Sequence, residues 1–170
     1  MPVRKAKEED ISEILDIYDR AREYMRQTGN PSQWGKIYPP QSLIKTDIDN
    51  GNLFVLEDGS KIYGVFAFFP LGDDVYDHIE GAWLNSYPHA AIHRVASSGE
   101  RRGVLAECVE YCLATSSNLK IDTHTDNRIM QSGLKKLGFR ECGKIFLPQG
   151  EERIAFQLYN EAGSLKHGEI

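Results

Sequence analysis

Apolar positions along the chain fall into two periods. Over residues 9–28, Ile11, Ile14, Leu15, Ile17, Tyr18, Ala21 and Tyr24 recur every three or four positions. That is the stripe of an amphipathic helix, and Gly29-Asn30-Pro31 stops it. Pro40 suits a first helical turn, so a second helix is expected over 40–49, ended by Asn50-Gly51. A short strand at 3–6 precedes the first helix. Apolar runs at 53–57 and 61–69, joined by Asp58-Gly59-Ser60, read as a hairpin. The second run is continuous, which predicts cover on both of its faces.

The second half alternates element types. A strand at 90–96 leads through a glycine loop at 97–103 to a helix at 104–115. A strand at 119–123, a helix at 127–137 and strands at 139–146 and 153–159 follow, the last two joined at Pro148-Gln149-Gly150. Between the halves, residues 70–89 carry no clear period. A loop of about twenty residues inside a compact domain is usually functional or disordered, and Tyr76, Trp83 and Tyr87 argue against disorder. The mixture predicts a single α/β (α+β) domain over residues 1–159, with a loose polar tail from Asn160.

Composition narrows the classes. The 170 residues are 41% hydrophobic, enough for one packed core without disulfides. A net charge of −5 argues against a nucleic-acid or membrane surface. Cys108, Cys112 and Cys142 cannot all pair, and the first two, four apart on a helix, are expected to share a buried face. Met1-Pro2-Val3-Arg4-Lys5 has no signal-peptide character and no apolar run approaches the ~18 residues of a membrane span, so a reducing cytoplasm is the expected compartment.

The chemistry concentrates in residues 97–105. Gly99 and Gly103 precede a helix start, where unpaired N–H groups and a partial positive charge favour an anion, and Arg101 and Arg102 add charge. Glu100 adds an opposing charge that one of these arginines would have to screen. His89 and His93, four apart on or entering a strand, are expected to share a face with Val95. Imidazole titrates near neutrality, as a general base should. His124, inside Asp122-Thr123-His124-Thr125-Asp126, is a third candidate base. It has no spaced third ligand, so no metal site is expected. Trp34, Tyr38, Trp83 and Tyr87 suit an apolar pocket wall, and Asp73, Asp74, Asp77 and Glu80 a cationic substrate.

With Asp126-Asn127 before a helix and Leu137-Gly138-Phe139 at its end, the order of elements resembles the GNAT family of N-acetyltransferases across about residues 3–158. The resemblance implies a mostly antiparallel mixed sheet flanked by helices. It also implies transfer of an acetyl group from acetyl-CoA to a small-molecule or peptide amine. The alternative is a non-catalytic CoA-binding or protein-interaction module of the same fold. The family's pyrophosphate loop, Gln/Arg-x-x-Gly-x-Gly/Ala, falls on Glu100, Gly103 and Leu105, of which only Gly103 matches. The cofactor would then lie along Val95, Ala96 and Ser97, over Gly99, Arg101, Arg102, Gly103 and Val104, and against Asn127. Trp34, Tyr38, Glu80 and Trp83 would meet the amine. His89 falls near the family's base glutamate, and the family's acidic tyrosine corresponds to Leu134, which has no proton to donate. An exposed sheet edge leaves a homodimer open.

Overall fold

The structure is a computed structural model that describes residues 2–161. Its fold is α/β, a mixed and mostly antiparallel sheet with four α-helices. Residue packing divides the chain into two compact units. The first holds the chain up to Phe68 together with His93–Cys108, and the second holds Phe69–Ile92 together with the chain from Val109 on. The polar tail expected after Asn160 lies, beyond Glu161, outside the described residues.

The first unit contains β1 (Val3–Lys5), α1 (Ile11–Gln27), α2 (Gln41–Asp49), β2 (Leu53–Asp58) and β3 (Lys61–Phe69, up to Phe68). It also holds most of β5 (Ala90–Ser97) and the start of α3 (Val104–Leu113). Here the strand order is β1-β2-β3-β5, with β1 and β3 both antiparallel to β2. The apolar stripe of α1 buries Ile14, Ile17 and Tyr18, α2 adds Ile44, and Leu56, Val65 and Phe66 complete the core. The helix begins two residues later than its apolar period suggests, because Glu8–Asp10 form a 3-10 turn. Asp10 fixes that turn: Arg4 donates to both of its carboxylate oxygens at 2.8 and 3.0 Å, and the Lys7 N–H donates to it at 2.7 Å. Glycine at position 64 of β3 is a matter of space, since a Cβ there would stand 2.8 Å from the Val104 side chain and 3.0 Å from that of Leu56. Its absence lets the first turn of α3 sit against the strand.

The second unit contains β4 (Glu80–Gly81), the first residues of β5, the rest of α3, β6 (Asn118–Thr123), α4 (Arg128–Lys136), β7 (Arg140–Phe146) and β8 (Glu152–Tyr159). Its order is β5-β6-β8-β7-β4; β5 and β6 are parallel, through Ala90 opposite Leu119, and the other pairs antiparallel. The long segment expected as a loop is organised. Asp74–Tyr76 form a 3-10 turn capped by Asp73, and Glu80 and Gly81 pair with Lys144 and Gly143. Tyr76 is buried with Ala91, Ile145 and Ala155. A closed set of amide bonds anchors residues 84–88. Gln157 accepts from the Leu84 N–H at 2.8 Å and donates to Asn118 at 2.7 Å, while Asn118 donates to the carbonyls of Tyr87 and Pro88. Buried amides satisfied on all sides give an otherwise irregular segment one conformation.

The crossing of β4 and β7 has no room for a side chain. A Cβ on Gly143 would lie 2.1 Å from the Glu80 carbonyl oxygen, and one on Gly81 would lie 2.2 Å from that of Cys142. Gly143 is also left-handed at φ 149°, as Gly150 is at 97°, but around Gly150 there is open space. Gly143→Ala is therefore expected to destabilise by about 2 kcal/mol more than Gly150→Ala, in which the backbone strain of a positive φ acts alone. Urea unfolding of both variants measures the difference; equal losses would mean that the crossing opens freely.

Candidate active site

Within the first unit, the loop after β5 is built by its own side chains. The Ser97 and Ser98 hydroxyls accept from the N–H groups of Gly99 and Glu100 at 3.0 and 3.3 Å, which curls the chain before the helix. The Ser98 N–H donates to the Tyr63 carbonyl at 3.0 Å, tying the loop to β3. Gly103 enters α3 with φ 84° and nothing within 4 Å of where a Cβ would be. The first N–H groups of α3 thus follow an open, side-chain-free approach, the arrangement that suits a phosphate.

The charges around this loop are distributed differently from the sequence expectation. Neither loop arginine screens Glu100. Lys61 bonds it at 2.7 Å and Arg20 at 3.1 Å, and these two cations hold its carboxyl below the ordinary range. Arg101 is occupied elsewhere, with its guanidinium 3.9 Å from the Tyr63 ring centroid and paired with Asp58 at 3.4 Å and Glu107 at 3.6 Å. Arg102 is exposed and, among the described residues, pairs with no acid. Of the two arginines expected to meet the anion, Arg102 is the one at liberty.

Just before the loop, β5 carries a feature that residue spacing did not predict. Arg94 has φ 53°, unusual for a residue with a side chain. It is fixed from every side. Its guanidinium makes two bonds to Asp47 on α2, at 2.9 and 3.0 Å, and donates to the Tyr38 hydroxyl at 3.3 Å. Its carbonyl accepts from the buried Tyr18 hydroxyl at 2.8 Å. Burial raises the Asp47 carboxyl, while Arg94 and, less strongly, His93 pull it down. Trp34 packs edge-on against Tyr18 at 5.7 Å and tilted against Tyr38 at 6.3 Å. Arg22 donates to the Tyr38 carbonyl at 3.0 Å. Trp34, Tyr38 and His93 thus lie in one unit about an ion pair that residue spacing did not announce, with Val95 next in sequence to its arginine. An acid three positions after buried Ile44, on the inward face of a short helix, was the available signal.

The other candidates lie in the second unit and have structural partners there. His89 precedes β5, and its Nε2 accepts from the Asp73 N–H at 3.2 Å. His89 is the residue entering β5, and left-handed Arg94 breaks the pleat between His93 and Val95, so the alternation expected to carry the face on to Val95 is interrupted there. His124 Nδ1 accepts from the Asp126 N–H at 3.0 Å. Asn127 caps α4, accepting from the Met130 N–H at 3.1 Å, and Gly138 ends that helix with φ 97°. Leu134 is fully buried. Trp83 donates to the Tyr76 carbonyl at 3.1 Å and lies under the Lys120 ammonium, while Glu80 is exposed on β4. No group of three metal-ligating side chains occurs among the described residues.

This architecture is shared with solved acetyltransferases. A GNAT-family acetyltransferase from Streptococcus agalactiae is 31% identical, with 94% of this chain and 95% of that one covered at a TM-score of 0.84. The chain belongs to the GNAT family of acetyltransferases. It is an acyltransferase. A GNAT-family acetyltransferase from Bacillus cereus shares the fold at 21% identity and TM-score 0.61, covering 93% and 96% of the two chains. So does yncA of Salmonella typhimurium, solved with its cofactor acetyl-CoA, at 13% identity and TM-score 0.61, covering 94% and 93%. No family model and no curated protein matches the sequence.

In this GNAT enzyme the surroundings of His89 favour its neutral form. Burial, and then the Lys120 charge, lower its pKa below the ordinary value. The unfolded chain therefore binds this proton more readily than the folded one. Stability from His89 is complete above about pH 6.5 and is lost as pH falls from there through the lower folded value. In His89→Gln, whose amide oxygen can still accept from Asp73, unfolding free energy should fall less between pH 7 and pH 5 than in the wild type. Parallel pH profiles of denaturant stability would remove His89 as the cause.

Proposed function

We propose that the chain is an N-acetyltransferase that moves an acetyl group from acetyl-CoA to a primary amine of a small molecule or peptide. The observation that carries this reading is the approach to α3: left-handed Gly103 with open space beside it, unpaired Arg102 next to it, and a Glu100 already neutralised by Lys61 and Arg20. The charge that seemed to oppose a pyrophosphate is cancelled before any ligand arrives. We assign the pyrophosphate to Gly99, Arg102, Gly103 and Val104, and the thioester to the backbone of Val95, Ala96 and Ser97.

His93 is the base that fits best. It stands on β5 beside Arg94, within the electrostatic reach of Asp47 and in the same unit as the strand residues assigned to the thioester. A protonated amine cannot attack a thioester, so a base or water must first take its proton. Trp34 and Tyr38 supply apolar surface for the amine in the same unit.

Acetyl-CoA is expected to raise the melting temperature by mass action. Gly103→Val, which adds a branched side chain at φ 84°, should abolish the rise. Arg102→Ala should weaken binding about tenfold, and Arg101→Ala should weaken it less. A melting temperature indifferent to acetyl-CoA would sink the proposal. Binding without release of free CoA across a panel of amines would instead support the non-catalytic module.

A further inference from the structure

The leaving group of this transfer is a thiolate, and the helix position that the family fills with an acidic tyrosine holds fully buried Leu134. Another phenol reaches β5 through the side chain of Arg94. Tyr38 lies in the connection between α1 and α2 and is 37% exposed. Its ring is held against Trp34 and its carbonyl by Arg22, so its direction is fixed. Its hydroxyl oxygen accepts from Arg94 at 3.3 Å. A phenol that accepts in this way keeps its own hydrogen to donate. Arg94 adjoins Val95, Ala96 and Ser97, where the thioester is placed above, and the inference rests on that placement.

We propose that Tyr38 is the general acid of the reaction, giving its phenolic proton to the sulfur of departing coenzyme A. The neutral amine nitrogen bonds to the thioester carbon as the carbonyl pair moves onto oxygen, and the surplus proton of that nitrogen goes to His93 or water. The carbonyl then re-forms, the carbon–sulfur bond breaks with its electron pair passing to sulfur, and the Tyr38 proton joins that sulfur. Coenzyme A leaves as a thiol and the acetyl amide remains. The phenolate faces the Arg94 guanidinium and regains its proton through water from the protonated base. The titratable and charged groups tied to Tyr38 are Tyr18 and Arg22 from α1 and Arg94 from β5, with Asp47 of α2 on the far side of Arg94 and His93 acting on Asp47. Asp19 pairs with Arg22 and Asp47 with Arg94, so the cations near the phenol are individually balanced.

Tyr38→Phe removes the hydroxyl and leaves the ring on Trp34. The first probe is coenzyme A itself, bound to wild type and variant and titrated by its ultraviolet thiolate absorbance, which needs no knowledge of the amine. A hydrogen bond donated to the thiolate lowers the midpoint of the bound thiol. That midpoint should be higher in Tyr38→Phe by about one pH unit or more, with the acetyl-CoA thermal shift retained. In turnover with any accepted amine, kcat should fall about 100-fold with little change in KM for acetyl-CoA. Equal thiol midpoints, or an unchanged kcat, overturn the role of Tyr38 while leaving the acetyl-CoA site intact. Failure of the wild type to bind coenzyme A or acetyl-CoA overturns the site, and the acid with it.

Discussion

The pairing of Arg94 with Asp47 is the constraint on which the candidate site depends. A guanidinium and a carboxylate are costly to remove from water, and the cost is recovered only when both bonds of the fork are made and the remaining groups find partners. Both bonds are made here, at 2.9 and 3.0 Å, with Tyr38 as a further acceptor. The pair links the second helix to a strand at the one residue with a side chain whose φ is positive among the described residues. Such a backbone persists only where its surroundings over-determine it. The fork at one end of the residue and the Tyr18 hydroxyl on its carbonyl do that. A break in the pleat exposes backbone groups of a strand that an unbroken ladder would consume.

The loop that follows solves a different problem. An anion site needs positive potential, yet fixed arginines on a mobile loop lose entropy when they close on a ligand. In this chain most of the charge around the loop is settled in advance. Glu100, Lys61 and Arg20 form one closed group, and Arg101, Tyr63, Asp58 and Glu107 form another. These contacts hold the loop to α1 and β3 without occupying the open side of Gly103. On the proposed reading the helix N-terminus and Arg102 are then left for the ligand, and the remaining loop residues act as its frame.

The elements were legible because their periods were clean. The stripe of α1, the continuous run of β3 and the glycine before α3 each follow from one local rule. The candidate site was less legible because its geometry rests on contacts far apart in sequence. Arg94 and Asp47 belong to different elements, and neither has a neighbour in sequence that announces the other. Glu100 illustrates the same limit: the nearest cations along the chain, Arg101 and Arg102, were the natural partners to expect, but the partners are Lys61 and Arg20. The long segment from Pro70 is ordered, as its aromatic residues suggested, but the groups that order it were not legible for a related reason. Its order comes from Asn118 and Gln157, two amides on β6 and β8 that read locally as ordinary strand residues.

Leu134 bears on how far the fold and the proposed reaction are separable. At the end of α4, a buried leucine strengthens the apolar interior: its carbonyl accepts from the Phe139 N–H at 3.0 Å, and both side chains are buried. A phenol at that position would need a hydrogen-bond partner or an opening to solvent. Removing it benefits packing and removes a proton source. The chemistry does not require that the acid come from α4, only that a donor reach the departing sulfur with its charge compensated. A phenol touching a guanidinium has its charge compensated, and in this chain that pairing occurs at Tyr38, on the arginine next in sequence to the strand residues proposed to hold the thioester.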